Sequence, residues 1–284
     1  MCAGEPSGGT AGHADAHDDG ASSGFRNIDA SGDVVDVPMR TFDGVSVERL
    51  RTELHVPELH LFASTASTLD VAHRLGASGA PHGALVLADR QTAGRGRGGK
   101  SWSSPPGTGL WITILARPVT TVPPVMTVRL GLAAARVLDL FALAPVQVKW
   151  PNDLYVGGRK LGGVLVEARW RGTSLEWVAI GIGINVTVPG HAARGGALGV
   201  HAGRASVLRA LMPSLRAAFD RTEPILDAGE VADYEVRDLA RDRACVEPVQ
   251  GIVRGITAGA ELIIATNTGM VTVHAGSLTL SEEV

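Results

Sequence analysis

The stretch Gln91 to Trp102, QTAGRGRGGKSW, sets Arg95, Arg97 and Lys100 among Gly94, Gly96, Gly98 and Gly99. That combination suits an anion. Glycines let the backbone turn its N–H groups onto one concave face, while guanidinium forks match phosphate or carboxylate oxygens two at a time. Gln91 adds an amide that both donates and accepts, and Trp102 offers a flat face for a ring. Arg-Gly tracts are also common in solvated loops and RNA-binding tails. This one occurs once and is flanked by apolar, strand-like segments. Gly94, Gly96 and Gly99 spell GxGxxG, but a proline-containing turn follows where a helix should open, and no acidic residue lies between Gln91 and Leu138 to hold a ribose.

A second group of polar residues lies in VQVKWPNDLYVGGRKLGGVLVEARW, Val146 to Trp170. It reads as a strand, a WPND turn, a hairpin around Gly157 and Gly158, and a strand whose Gly162 and Gly163 allow close backbone approach. Lys160 falls between the hairpin and those glycines. Taken singly, Lys160 reads as a hairpin lysine and Asp153 as a turn-forming residue. Ser67 and Thr68 stand where a helix N-cap belongs, and Asn185 closes the strand EWVAIGIGINV.

With 284 residues and a net charge of −3, the chain has ample core and no global pull towards nucleic acid or membrane. The positive charge around Arg95 is therefore local. Cys2 and Cys245 are the only cysteines, too few for a disulfide framework or a thiolate zinc site. No signal peptide pattern or long apolar run occurs, so a cytoplasmic protein without a membrane partner is expected.

The elements that must position these groups follow from periodicity. Residues 1–44, rich in Gly, Ala, Ser and Asp, are predicted to be a disordered tail, with His13 and His17 at metal-compatible spacing but no supporting second shell. A helix is predicted in VSVERLRTEL and a strand over Leu59 to Phe62. A capped helix follows Ser67, and a buried strand runs from Gly83 to Gln91. Leu110 to Ala116 is a strand, and Val125 to Leu143 a core helix begun by Pro123 and Pro124. His191 to His201 reads as a flexible loop, and Ala205 to Asp220 as a helix interrupted at Pro213. From Ala244 onward, short alternating runs indicate a small antiparallel barrel. The domains are thus 1–44, 45–240 and 241–284. Gly181 to Val186 is expected to be an exposed edge strand, open to a carrier or to a second copy in a homodimer.

Three segments, GRGRGGKSW, KWPNDL with RKLGGVLVE, and GIGINV, are collinear and each fits a strand edge. Together they resemble the biotin protein ligase family, over roughly Val56 to Val284. The resemblance implies an α+β fold, a mixed β-sheet packed with helices as in class II aminoacyl-tRNA synthetases, followed by an SH3-like β-barrel. It implies ATP-dependent, AMP-forming chemistry: biotin is activated with MgATP to biotinyl-5′-AMP and passed to a lysine of a biotin carboxyl carrier protein.

By motif, Ser67, Thr68, Leu69, Gln91, Arg95, Gly96, Arg97, Lys160 and Gly163 fall where the family binds biotin. Arg95, Arg97, Trp102, Asn152, Lys160 and Asn185 fall where it binds ATP and the adenylate. Lys160, Arg97 and Asp153 carry the expected catalytic roles, Asp153 also holding Mg²⁺. The sequence departs from the family pattern at Leu69, where asparagine is usual, so either one polar contact is missing or Ser64 and Thr65 are the matching pair. It departs again at Gly98 and Lys100, where arginines are common. Some members add a DNA-binding winged helix, for which residues 1–45 lack length and apolar content, so no DNA partner is expected. Two alternatives share features with this reading. One is a lipoate or octanoate acyl ligase of the same fold; the other is a non-catalytic nucleotide- or RNA-binding protein using the Arg-Gly loop.

Overall fold

The computed structural model describes residue 1 and residues 36–117, 124–187, 195–199 and 202–283. His13 and His17 lie outside these, as does most of the loop predicted over His191 to His201. In chain order the elements begin with β1 (Val37–Pro38), β2 (Thr41–Phe42), β3 (Val45–Ser46), α1 (Val47–Glu53), β4 (Leu59–Ser64), α2 (Thr68–Ala77) and β5 (Ala84–Ala88). They continue with β6 (Gly109–Ala116), α3 (Val125–Leu138), β7 (Gln147–Lys149), β8 (Asp153–Val156), β9 (Arg159–Arg171) and β10 (Ser174–Asn185). Then come α4 (Arg204–Phe219), α5 (Ala228–Arg237), β11 (Ala244–Glu247), β12 (Gly251–Ile256), β13 (Leu262–Thr266), β14 (Gly269–Val273) and β15 (Thr279–Leu280).

Eight strands form one sheet in the order β1-β4-β5-β6-β10-β9-β8-β7, with β4 and β5 parallel and the other pairs antiparallel. Successive strand side chains point to opposite faces, and the sequence uses both. Leu85, Leu87, Ile112, Ile114, Val178 and Ile180 join the large core with α3 and α4, whereas Val86 and Ala179 pack under Leu69, Val71 and Ala72 of α2. The helices thus cover both faces.

Several expectations change. The predicted tail ends earlier than residue 44: β1 pairs with β4, and Phe42 is fully buried. Gly181 to Val186 is not an edge, because β10 is hydrogen-bonded on both sides, to β6 and β9; its glycines face a cleft and leave its ladders intact. Pro213 does not interrupt α4, which runs through it with Leu208, Leu211, Met212 and Leu215 buried; tertiary packing outweighs the single lost backbone bond. The helix expected to reach Leu143 stops at Leu138, and Leu140 and Leu143 are exposed.

The C-terminal segment forms a five-stranded antiparallel sheet, β14-β13-β12-β11-β15, that is open, with β14 and β15 as edges. A closed barrel, which the alternating runs suggested, would require those two edges to pair. The change from α5 to β11 falls between Arg237 and Ala244, where the periodicity of the sequence changes. Among the described residues no helix is long and apolar enough to cross a membrane.

Candidate functional site

The floor of the site is made by glycines alternating with isoleucines in β10. Ile180, Ile182 and Ile184 fill the core, which turns Gly181 and Gly183 towards α2. A Cβ at position 181 would meet the Leu69 side chain at 3.1 Å, and one at 183 would meet the Trp102 indole nitrogen at 2.6 Å. Only glycine lets the first turn of α2 and the ring of Trp102 lie against the sheet. Gly163 of β9 sits opposite Gly183 and continues this floor.

The Arg-Gly loop is a closed hairpin. Gly96 N–H donates to Lys100 O (2.7 Å) and Trp102 N–H to Gly94 O (2.8 Å), while the tip turns through Gly98 and Gly99 at φ 66° and 76°. Those left-handed angles explain glycine at position 98, where the related pattern has arginine. The letters Gly94 to Ser101 also satisfy GxxxxGK[ST], the pattern of a phosphate-binding P-loop. The structure excludes a P-loop all the same. Phosphate binding there needs a helix opening at the lysine, and here only the three-residue turn Arg97–Gly99 precedes an extended segment.

Loop and hairpin converge. A cleft of about 470 Å³ is lined by Thr68, Leu69, Gln91, Arg95, Gly96, Arg97, Trp102, Asn152, Asp153, Lys160 and Gly163, all expected from the sequence. Two expected residues are not on its wall. Asn185 instead donates from Nδ2 to Gly196 O (3.1 Å), fastening a segment whose Gly196 N–H bonds Lys160 O (2.9 Å). Ser67 is fully buried at the N-terminus of α2, yet its hydroxyl makes no cap and has no protein partner. Capping therefore does not account for it, and a buried hydroxyl is costly to leave unpaired. Thr65 is otherwise engaged, donating to Asp36 Oδ1 at 2.5 Å.

Thr68 and Gln91 brace one another. Gln91 Oε1 accepts from Thr68 N–H (2.9 Å) and from the Thr68 hydroxyl (3.1 Å), which accepts in turn from Thr113 (2.9 Å), while Gln91 Nε2 donates to Ser104 Oγ (2.8 Å). Leu69 packs into the small apolar cluster under α2 and supplies no polar group.

The charges are distributed unevenly. Lys160 pairs with Asp153 at 2.7 Å and sits 5.5 Å from the Trp102 ring centre. The guanidinium of Arg97 reaches across to the carbonyl of Gly276, ahead of β15. Arg95, expected at the biotin and adenylate sites, lines the cleft and has its side chain held by Asp70 and by Glu167, the latter at 3.0 Å. Two carboxylates neutralise its side chain and leave its backbone to face the cleft.

Sequence reasoning missed Lys149, Tyr155 and the contribution of Ser277, Leu278, Thr279 and Glu283. Lys149 is buried, pairs with Glu283 at 2.6 Å and lies 5.8 Å from the Tyr155 ring. A lysine inside the apolar strand VQVKW was itself a signal, since an unpaired buried ammonium is rarely tolerated. Burial, then the carboxylates of Asp153 and Glu283, push the Tyr155 phenol up to about 12, so it stays a hydrogen-bond donor at neutral pH. Among the described residues no group of three or more His, Cys, Asp or Glu side chains is assembled that could hold a metal.

The chain's relatives agree with this geometry. Residues 61–185 match the model of the biotin/lipoate A/B protein ligase family. The chain is 40% identical over 139 residues to the bifunctional ligase/repressor BirA of Bacillus spizizenii, covering 48% of this chain and 43% of that one. It is 36% identical over 138 residues to the biotin--[acetyl-CoA-carboxylase] ligase of Mycobacterium tuberculosis, covering 46% and 50%. The matched stretch thus spans about half, or less, of the length of these curated relatives. The fold is similar to that of the Aquifex aeolicus biotin protein ligase in complex with biotin and ATP, at a TM-score of 0.65 and 25% identity, over 79% of this chain and 98% of that one. The matched segment, residues 61–185, holds the Arg-Gly loop, Lys160 and the glycine floor, and it is this segment that is similar to the biotin/lipoate A/B protein ligase family.

Proposed function

We propose that this chain is a biotin protein ligase. A biotin carboxylate oxygen attacks the α-phosphorus of ATP, forming the acyl phosphate anhydride and breaking the bond to the β-phosphate, so that pyrophosphate leaves. The amine of a carrier lysine then attacks the biotinyl carbonyl, and AMP departs. The observation that carries this reading is that Arg97 and Lys160, far apart in sequence, line one cleft over a glycine floor. Joining two anions requires fixed cations and amide dipoles more than it requires a base.

In this reading the Ser67 hydroxyl is the polar group that awaits the buried end of biotin, with Thr68, Gln91, Gly163 and the backbone of Arg95 to Arg97 around it. Lys160 leaves Asp153 to meet the biotin carboxylate and the α-phosphate. Arg97, Trp102 and Asn152 cover the adenylate. Mg²⁺ enters with the nucleotide, neutralising phosphate charge. A lone Asp153 beside phosphates and water fits a magnesium site, which needs only one or two carboxylates. Residues 45–240 are the catalytic domain, related to class II synthetases, and the open C-terminal sheet is its SH3-like companion. The partner is a biotin carboxyl carrier domain, met in the cytoplasm. Nothing observed favours the lipoate or RNA-binding readings.

Intact-mass analysis of a carrier domain after incubation with the protein, ATP, Mg²⁺ and biotin tests the proposal. Addition of one biotinyl group to the carrier is expected; an unmodified carrier, with no biotin-dependent exchange of pyrophosphate into ATP, would overturn it. Arg97→Ala removes the tie from the loop to Gly276 and is expected to raise escape of free biotinyl-5′-AMP about 10-fold, read by chromatography of the released nucleotide. Gly183→Val drives a side chain into the seat of Trp102. It is expected to weaken adenylate retention by a similar factor while the far-ultraviolet circular dichroism stays as in the wild type.

A further inference from the structure

Arg95 is the one cation of the loop that is bound on both sides. Its guanidinium donates to Asp70, in the first turn of α2, and to Glu167 Oε2, in the middle of β9, at 3.0 Å. The same Glu167 oxygen lies 2.9 Å from His73 Nε2. The His73 ring is not free to choose its tautomer. Trp177 Nε1–H, which can only donate, sits 3.1 Å from His73 Nδ1. Nδ1 is therefore the bare, accepting nitrogen, and the proton is on Nε2, pointing at Glu167. Each link has one direction: Trp177 to His73, His73 to Glu167, and Arg95 to Glu167.

Packing keeps this chain in register. Trp177 is buried and its ring lies against Gly76, where a Cβ would come within 2.7 Å of it. Asp70, His73 and Gly76 recur at the three-residue spacing of one helix face, so α2 presents carboxylate, imidazole and indole seat in a row. The first two groups are partly exposed and polar, and neither is needed by the core. The bond from His73 opposes burial and, together with Arg95, holds the Glu167 carboxyl below its ordinary value.

We infer that Glu167 and His73 are positioning residues for the Arg-Gly loop, acting through Arg95 to hold the backbone of residues 95–97 against the cleft. The inference deepens the ligase reading, on which its functional consequence rests, but its structural half stands without substrate. Arg95 cannot swing out to a phosphate while both carboxylates hold it. Its side chain fixes the loop's base through residue 97 and leaves the tip beyond it, Gly98 to Lys100, to move.

The test uses the loop's own trypsin sites. Glu167→Ala in the full chain is expected to speed cleavage after Arg95, Arg97 and Lys100 at least 10-fold, read by mass spectrometry, with unfolding temperature near that of the wild type. His73→Phe, which removes the donor, is expected to act in the same direction, and His73→Gln, which restores one, to return cleavage to within about threefold of wild type. Glu176→Ala, near the β9–β10 turn and paired with Arg171, serves as the control. Cleavage unchanged in both Glu167→Ala and His73→Phe would overturn the inference, as would rescue failing in His73→Gln; if Glu167→Ala does not fold, the two His73 variants decide it. In biotin-dependent pyrophosphate exchange the same variants are expected to raise KM for biotin about 10-fold with kcat within threefold. A wild-type protein without exchange would sink the ligase reading and leave the proteolysis result intact, whereas exchange with an unchanged KM in Glu167→Ala would sink the positioning role alone.

Discussion

Lys160→Ala is expected to slow formation of biotinyl-5′-AMP by about 10² or more, the scale on which a preorganised charge at a developing anion acts. The ammonium sits at the mouth of the β8–β9 hairpin, partly exposed, beside Asp153 and the face of Trp102. Its removal takes away the cation best placed to meet both reacting anions, and it also frees the Asp153 carboxylate to repel them. The two effects add in the same direction. Lys160→Arg keeps the charge but replaces a compact ammonium with a planar fork of different reach, so it is expected to recover only part of the rate. Pre-steady-state measurement of adenylate formation checks both. A Lys160→Ala rate near wild type would remove this residue from the mechanism, and an equal loss in KM alone would reassign it to ground-state binding.

Glu230→Ala is expected to destabilise the fold by about 3–5 kcal/mol, the usual consequence of leaving one half of a buried ion pair behind. Arg129 of α3 is almost wholly buried and donates to both oxygens of Glu230, at 2.6 and 3.1 Å, as well as to the carbonyls of Glu223 and Ile225. Glu230 also closes the capping box of α5, where its side chain accepts from Asp227 N–H (2.9 Å) while its own N–H donates to Asp227 Oδ1 (2.8 Å). One carboxylate therefore holds a core arginine and a helix N-terminus at once. Denaturant titration reads the loss. A change under 1 kcal/mol would mean that water reaches Arg129, and the double variant Glu230→Leu with Arg129→Leu is expected to recover much of the stability.

The sequence revealed those features that are local. The alternation in IGIGIN announces a strand with glycines on one side, and the loop's glycines announce its turns; both depend on neighbours one or two residues away. Lys160 and Arg97 were recognisable because each stands in a short motif. The partners of Arg95 are not legible in the sequence because the two carboxylates that hold it come from α2 and β9, and no nearby residue announces them. Glu283 escaped notice for the same reason, reaching Lys149 from the far end of the chain. The interior place of Gly181 to Val186 in the sheet is not legible, because hydrophobic alternation reports which side faces the core and says nothing of whether a neighbouring strand lies on each flank. Ser67 read as a cap on its residue type, and only the helix geometry showed its hydroxyl idle.

The bond from Arg97 to the carbonyl of Gly276 crosses from the glycine-rich hairpin to the C-terminal sheet. Any movement of the hairpin away from the cleft would have to break that tie to the sheet. A covalent staple between them, fixed after loading, would imprison whatever the cavity held, and the same staple fixed beforehand would bar the door.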